Sequence, residues 1–263
     1  MRSQKSRKMK TIDINCDMGE SFGAYTIGMD GDVIRHITSA NIACGFHAGD
    51  PVVLRRTVRM AAENGVSVGA HPGFPDLMGF GRRHMECTPG EIENYIIYQV
   101  GAIRAFCDAE NVALRHVKPH GGLYNLAAIN ELVFQTIAGA VAAVDRNLFL
   151  VGLAGKKAPR MAEIAEKAGI RAVFEAFPDR AYTPEGTLAP RSRPRAVIKD
   201  PGEVADRALS MAAHGRIQAE DGTSLELAPD TLCVHGDTPA AVELVRHIRE
   251  KLEQNGITAA AMT

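Results

Sequence analysis

Thr11-Ile12-Asp13-Ile14-Asn15-Cys16-Asp17-Met18-Gly19-Glu20, near the start of the chain, alternates apolar and polar side chains and then turns on a glycine. Alternation at period two predicts a strand over 11–16 with its polar residues on one face. Asp13, Asn15 and Asp17 share that face, and Glu20 follows just past its end. In a barrel the face is interior, where three polar groups need mutual hydrogen bonds, an ion or a substrate. A strand running into a solvated acidic turn is the simpler alternative.

Outward from this strand, short apolar runs alternate with amphipathic segments. Strands are expected at 40–44, 66–70, 114–118, 148–153, 172–176 and 231–234. Helix starts are marked by Asp50-Pro51, by Thr88 and Asp200 with an acid three residues later, and by Thr238-Pro239. Asn64-Gly65, Ala168-Gly169 and Asn255-Gly256 mark stops, since Gly and Asn tolerate the left-handed conformation. Such alternation argues for a parallel α/β sheet covered by helices. About seven strands fit a closed barrel or an open doubly wound sheet equally well, and both place functional groups beyond the strand carboxyl ends. The Pro- and Arg-rich segment 181–199 reads as a loop over the site, with an interdomain linker as the alternative. The expected organisation is an extension at 1–9 without order, then one domain over 10–263.

The strand ends carry the chemistry. Asn41 lies in the second strand and His47 just after it, His71 follows the third, Lys118 ends the fourth with His120 and Tyr124 beyond, and Glu175 lies near the end of the sixth with Asp179 and Arg180 beyond; His235 and Asp237 follow the last. A single histidine in such a place is more often structural than functional. Four of them (His47, His71, His120 and His235), each beside Gly or Pro after an apolar run, point to one shared site of proton transfer or metal binding. Lys118 is a lone cation among apolar neighbours and needs an anion, either a carboxylate of the protein or a bound phosphate or carboxylate. His36, His84, His214 and His247 fall in helical or polar contexts and read as surface or packing residues. Val151 to Lys157 has the flavour of a phosphate loop but lacks the GxxxxGK[ST] spacing.

Bulk composition narrows the field. The 263 residues are 46% hydrophobic and carry a formal charge of −1, so no global field recruits nucleic acid or anionic lipid. No apolar stretch reaches the roughly 20 residues of a spanning helix, so no membrane role is expected. The five cysteines are odd in number and never spaced CxxC, which favours reduced thiols and a cytoplasmic protein.

Read together, DINCDMGESFGAY, TSANIACGFHAGDP, GAHPGFPD with FGRR, RHVKPHGGLYN, VGLAG, the E-x-F-x-D-R-x-Y pattern at 175–182 and CVHGD resemble the LamB/YcsF family from about Lys10 to the C-terminus. The resemblance implies a seven-stranded parallel β/α barrel of the glycoside hydrolase/deacetylase type. It also implies the role of the A component in an ATP-hydrolysing 5-oxoprolinase, working with subunits B and C on a small lactam. ATP is then the co-substrate, with Mg2+, and no tightly bound organic cofactor is expected; a homo-oligomer is compatible. For that chemistry Asp17, His71, Lys118, His120 and Glu175 are the catalytic candidates. Lys118 is expected to meet phosphate, Asp17 or Glu175 to act as base, and His71 or His120 to donate to the oxyanion. Asp13, Asn15, Glu20, Asn41, His47, Tyr124, Asp179, Arg180, His235 and Asp237 are candidates for binding substrate. Two rivals stay open: a stand-alone metallohydrolase of the deacetylase kind, its ion on Asp17, His47 and His71, and a non-catalytic binding subunit.

Overall fold

The computed structural model describes residues 10–234 and 241–263. The 1–9 extension, His235, Asp237 and the Thr238-Pro239 start signal lie outside the described residues. Ten strands are described: β1 (Lys10–Met18), β2 (Ser39–Ala43), β3 (Ser67–His71), β4 (Leu114–Val117), β5 (Phe149–Leu153), β6 (Arg171–Ala176), β7 (Arg216–Gln218), β8 (Ser224–Glu226), β9 (Thr231–Val234) and β10 (Ile257–Ala259). Strands β1 to β6 pair in sequence order, β6 pairs with β9, and β9 pairs back to β1. All seven are parallel, so the sheet closes into a barrel and the open doubly wound alternative falls away. Strand β10 adds to the first residues of β1, and β7–β8 form a separate antiparallel pair.

The covering helices are α1 (Asp30–Val33), α2 (Pro51–Glu63), α3 (Pro89–Ala109), α4 (Gly121–Ile129), α5 (Glu131–Val144), α6 (Ala158–Ala168), α7 (Pro201–His214) and α8 (Ala241–Gln254). Their starts follow local chemistry. Asp50 caps α2 by accepting from the amides of Val52 and Val53. Thr88 and Glu91 form a complete capping box on α3. At α7 the Asp200 carboxylate accepts from Glu203 N, and Glu203 reaches Arg195 at 3.8 Å. Left-handed Gly169 and Gly215 end α6 and α7. Among the described residues no single helix is long and apolar enough to cross a membrane.

The two faces of β1 show how the core divides. Ile12, Ile14 and Cys16 are buried in the apolar layer between barrel and helices. Asp13 and Asn15, equally buried, point inward with Asp17, where the barrel is filled by polar side chains instead of the usual branched aliphatics. Each polar layer is knitted by hydrogen bonds, as burial demands. At the bottom Asp13 accepts from Thr38, Ser39 and Thr231. Above it Asn15 donates to Thr231 at 2.7 Å, and Asn41 donates to Asn15 at 2.7 Å and Asp17 at 2.9 Å.

Candidate active site

At the carboxyl end of the barrel, β4 runs on through Lys118, whose amide donates to Ala70 O at 2.9 Å. Its side chain therefore enters the barrel axis, where Nζ meets Asp17 Oδ1 at 2.8 Å, Cys233 Sγ at 3.0 Å and Glu175 Oε2 at 3.1 Å. Burial opposes the charge, but Asp17, Cys233 and Glu175 hold the ammonium protonated and its pKa well above the usual lysine range. Burial likewise pushes the Glu175 carboxyl up, against the pull of Lys118. An ion cluster this deep holds a defined geometry, and two carboxylates share the one ammonium, so either can be lost while the other still balances it.

One strand over, three histidines and Glu20 pack together. The rings of His47 and His120 stack with centroids 3.7 Å apart and planes 3° apart. His71 stands edge-on to both. Gly81 makes this possible: its φ is +63°, and a Cβ there would lie 2.8 Å from both His47 Cβ and His120 Cδ2. His71 Nδ1 lies 2.7 Å from Lys118 O, and His120 Nε2 lies 2.8 Å from Phe80 O. Burial, then neighbouring positive charge, lowers the pKa of His47 and His120 well below the normal imidazole range. Ligand atoms of Glu20, His47, His71 and His120, all buried, lie within 4.8 Å of one another, so this group could hold a metal ion.

A cavity of about 450 Å³ opens above these groups, a size ordinary for small-molecule sites. Asp17, His71, Lys118, His120, Tyr124 and Arg180 line it. The loop 181–199 lies over it, contributing Thr187 to Arg191. Arg180 pins that loop by donating to Ala196 O at 3.1 Å and Ala189 O at 2.6 Å. Burial lowers its guanidinium to about 10, still charged at neutral pH.

The other sequence candidates fall elsewhere. Glu20 and His47 sit behind the cavity wall, and Asn15, Asn41 and Glu175 form the layer beneath it. Asp13 stays at the barrel bottom, bonded to hydroxyls, and does not line the cavity. Asp179 is buried under the loop, with Ile198 N donating to its carbonyl at 2.8 Å. Of the trio named for the rival metallohydrolase, His47 and His71 fall in the histidine group and Asp17 lies beside it. Asp17 is committed to Lys118 and Asn41, with one oxygen 3.2 Å from His71 Nε2, and Glu20 with His120 completes the histidine group.

Sequence reasoning missed His116, Cys233, Arg82 and Arg191. His116 is fully buried and donates from Nε2 to Asn41 Oδ1 at 2.7 Å. Alternation along His116-Val117-Lys118 was the signal that could have found it. Arg82 and Arg191 line the cavity from loops, where no period marks them.

Comparison with known proteins agrees with this architecture. Residues 12–263 match the LamB/YcsF family model. The chain is 54% identical over 246 residues to the 5-oxoprolinase A component of Pyrococcus abyssi, covering 94% of this chain and 95% of the relative. It is 55% identical over 250 residues to the protein of the same name from Syntrophobacter fumaroxidans, covering 95% and 98%. A crystal structure of a lactam utilization protein from Thermus thermophilus superposes with a TM-score of 0.89 at 48% identity, covering 96% of this chain and 100% of that one.

Proposed function

The chain belongs to the LamB/YcsF family, and from that premise we propose that it is the A component of an ATP-dependent 5-oxoprolinase, opening the lactam of 5-oxo-L-proline to L-glutamate. The observation that carries this reading is the Asp17–Lys118–Glu175 cluster beneath a cavity whose walls add Arg82, Arg180 and Arg191. Cations on several sides of one cavity suit a substrate carboxylate, and suit a phosphorylated form of it still better.

A five-membered lactam is a stabilised amide, and coupling to ATP makes its opening favourable. In the proposed route the lactam oxygen takes the γ-phosphoryl group and ADP leaves. Water then adds to the activated carbon and the C–N bond breaks, the nitrogen gaining a proton. The acyl phosphate that results is hydrolysed by a second water to glutamate and phosphate.

Asp17 lines the cavity and serves as base for water. Lys118 and Arg180 neutralise the phosphoryl or carbonyl oxygens. The oxyanion role expected of His71 or His120 passes to these cations, because each ring already spends one nitrogen on a backbone carbonyl. Glu175, fully buried and outside the cavity lining, positions Lys118.

The relatives are named as one lettered component of a larger enzyme, which supports partners, and we assign these as subunits B and C of a cytoplasmic complex with Mg-ATP as co-substrate. An interface between subunits would also shut bulk water out until phosphoryl transfer is complete. The test is reconstitution. Purified alone, the chain should release little glutamate from 5-oxoproline with or without Mg-ATP. Addition of B and C from the same organism should give glutamate and phosphate in a fixed ratio. ATP-dependent turnover by the chain alone would overturn the dependence on partners, and no turnover by all three would overturn the activity.

A further inference from the structure

We infer that Glu20, His47, His71 and His120 form a binding site for one divalent transition-metal ion of the zinc class, behind the cavity wall. The count of protons leads there. A backbone carbonyl only accepts, so His71 must carry its proton on Nδ1 to reach Lys118 O, and His120 must carry its proton on Nε2 to reach Phe80 O. In the neutral rings His71 Nε2 and His120 Nδ1 are then both bare lone pairs, and they face each other at 2.9 Å. Asp17 Oδ2, 3.2 Å from His71 Nε2, and Glu20 Oε1, 3.8 Å from His120 Nδ1, add carboxylate oxygens on the same side. Something positive belongs between them.

A proton shared by His71 and His120 is the simplest competitor, but it accounts for two of the four groups. His47 is fully buried, neither ring nitrogen has a hydrogen-bond partner among the described residues, and its Nε2 lies 4.0 Å from Glu20 Oε1. Unpaired polar atoms in a closed interior are costly. A cation that took His47 together with the facing lone pairs, with Glu20 as its carboxylate ligand, would give the unpaired ring nitrogens a partner.

The donor set chooses the ion. Three imidazoles and one carboxylate suit zinc and its neighbours, whereas Mg2+ and Ca2+ want oxygen. The carbonyls of Lys118 and Phe80 supply the outer hydrogen bonds that fix ring orientation in such centres. An ion held there would lend Lewis acidity to an oxygen reaching the His71–His120 wall. The site is independent of which substrate the cavity takes, and its test uses neither lactam nor ATP.

The full chain, stripped by chelator, is dialysed against Co2+ or Zn2+ and its metal content measured, alongside the visible spectrum of the Co2+ form. We expect one ion per chain, a ligand-field band from nitrogen-coordinated Co2+, and a melting temperature raised by Zn2+ but not by Mg2+. His47→Ala and Glu20→Gln should each weaken binding at least about tenfold, while exposed His84→Ala binds as the wild type does. Glu20→Gln keeps the side-chain volume, so it carries the test if His47→Ala misfolds. Metal binding unaltered in both variants would overturn the site. So would a failure of the wild type to bind either ion, with nitrogen-15 NMR showing a His71 imidazolium.

Discussion

His116 shows what one buried side chain costs the fold as pH changes. Burial, reinforced by Lys118, holds its pKa at about 3 against an ordinary 6.5, so the folded chain keeps this ring neutral. The unfolded chain takes up a proton there as soon as pH drops below 6.5. Protons bound preferentially by the unfolded state destabilise the fold, so this contribution is intact above pH 6.5 and drains as pH falls toward 3. His47 and His120, also depressed, act with the same sign. The buried carboxyls of Asp13 and Glu175 are pushed up by burial and act with the opposite sign. Urea unfolding of the wild type and of His116→Gln between about pH 7 and about pH 5 isolates the share of His116, because the other buried groups are common to both. His116→Gln should flatten the loss of stability there by up to about 1.4 kcal/mol per pH unit. An unchanged slope would show that His116 titrates freely in the folded chain.

At the scale of elements, the close approach of β3 and β4 is what admits that ring to the barrel. A Cβ at Gly69 would overlap the His116 ring, so the glycine is the socket in which His116 reaches Asn41. Gly69→Ala should lower stability by about 1–3 kcal/mol, the usual cost of overpacking, read as a drop in the urea midpoint. Gly101→Ala, in α3 where the new methyl meets nothing, should be neutral or stabilising. Equal midpoints for the two variants would mean that the barrel wall has slack. The barrel strands themselves were legible because each is a short apolar or alternating stretch bounded by Gly, Pro or Asn. Strands β7, β8 and β10, three residues each, were not. A three-residue edge segment shows no period, and only the turn at Asp221-Gly222 hinted at the hairpin. Barrel closure was illegible for another reason: it depends on β9 pairing with both β6 and β1, a long-range fact that buried strands do not encode locally.

At the scale of the whole molecule, the parallel barrel gathers residues from the start, middle and end of the chain at one mouth. Period-two alternation in β1 foretold that Asp13, Asn15 and Asp17 point inward, but not that Asp13 lies two layers below the cavity. Depth along a barrel axis is set by strand stagger, which a single sequence does not display. The recurrence of histidine after strands was visible; the approach of Glu20 to the histidine group was not, because it turns on how the chain bends at Gly19. On the proposed reading, this mouth does the chemistry on the lactam when the partner subunits are present. That is tested most directly by the kcat of the reconstituted complex carrying Asp17→Asn, which keeps the shape of the side chain and leaves Lys118 its contact with Glu175. With melting temperature and subunit co-purification unchanged, glutamate release should fall about a hundredfold or more, the scale for loss of a general base. Turnover within a few-fold of the wild type would move the chemistry away from Asp17 and contradict the account.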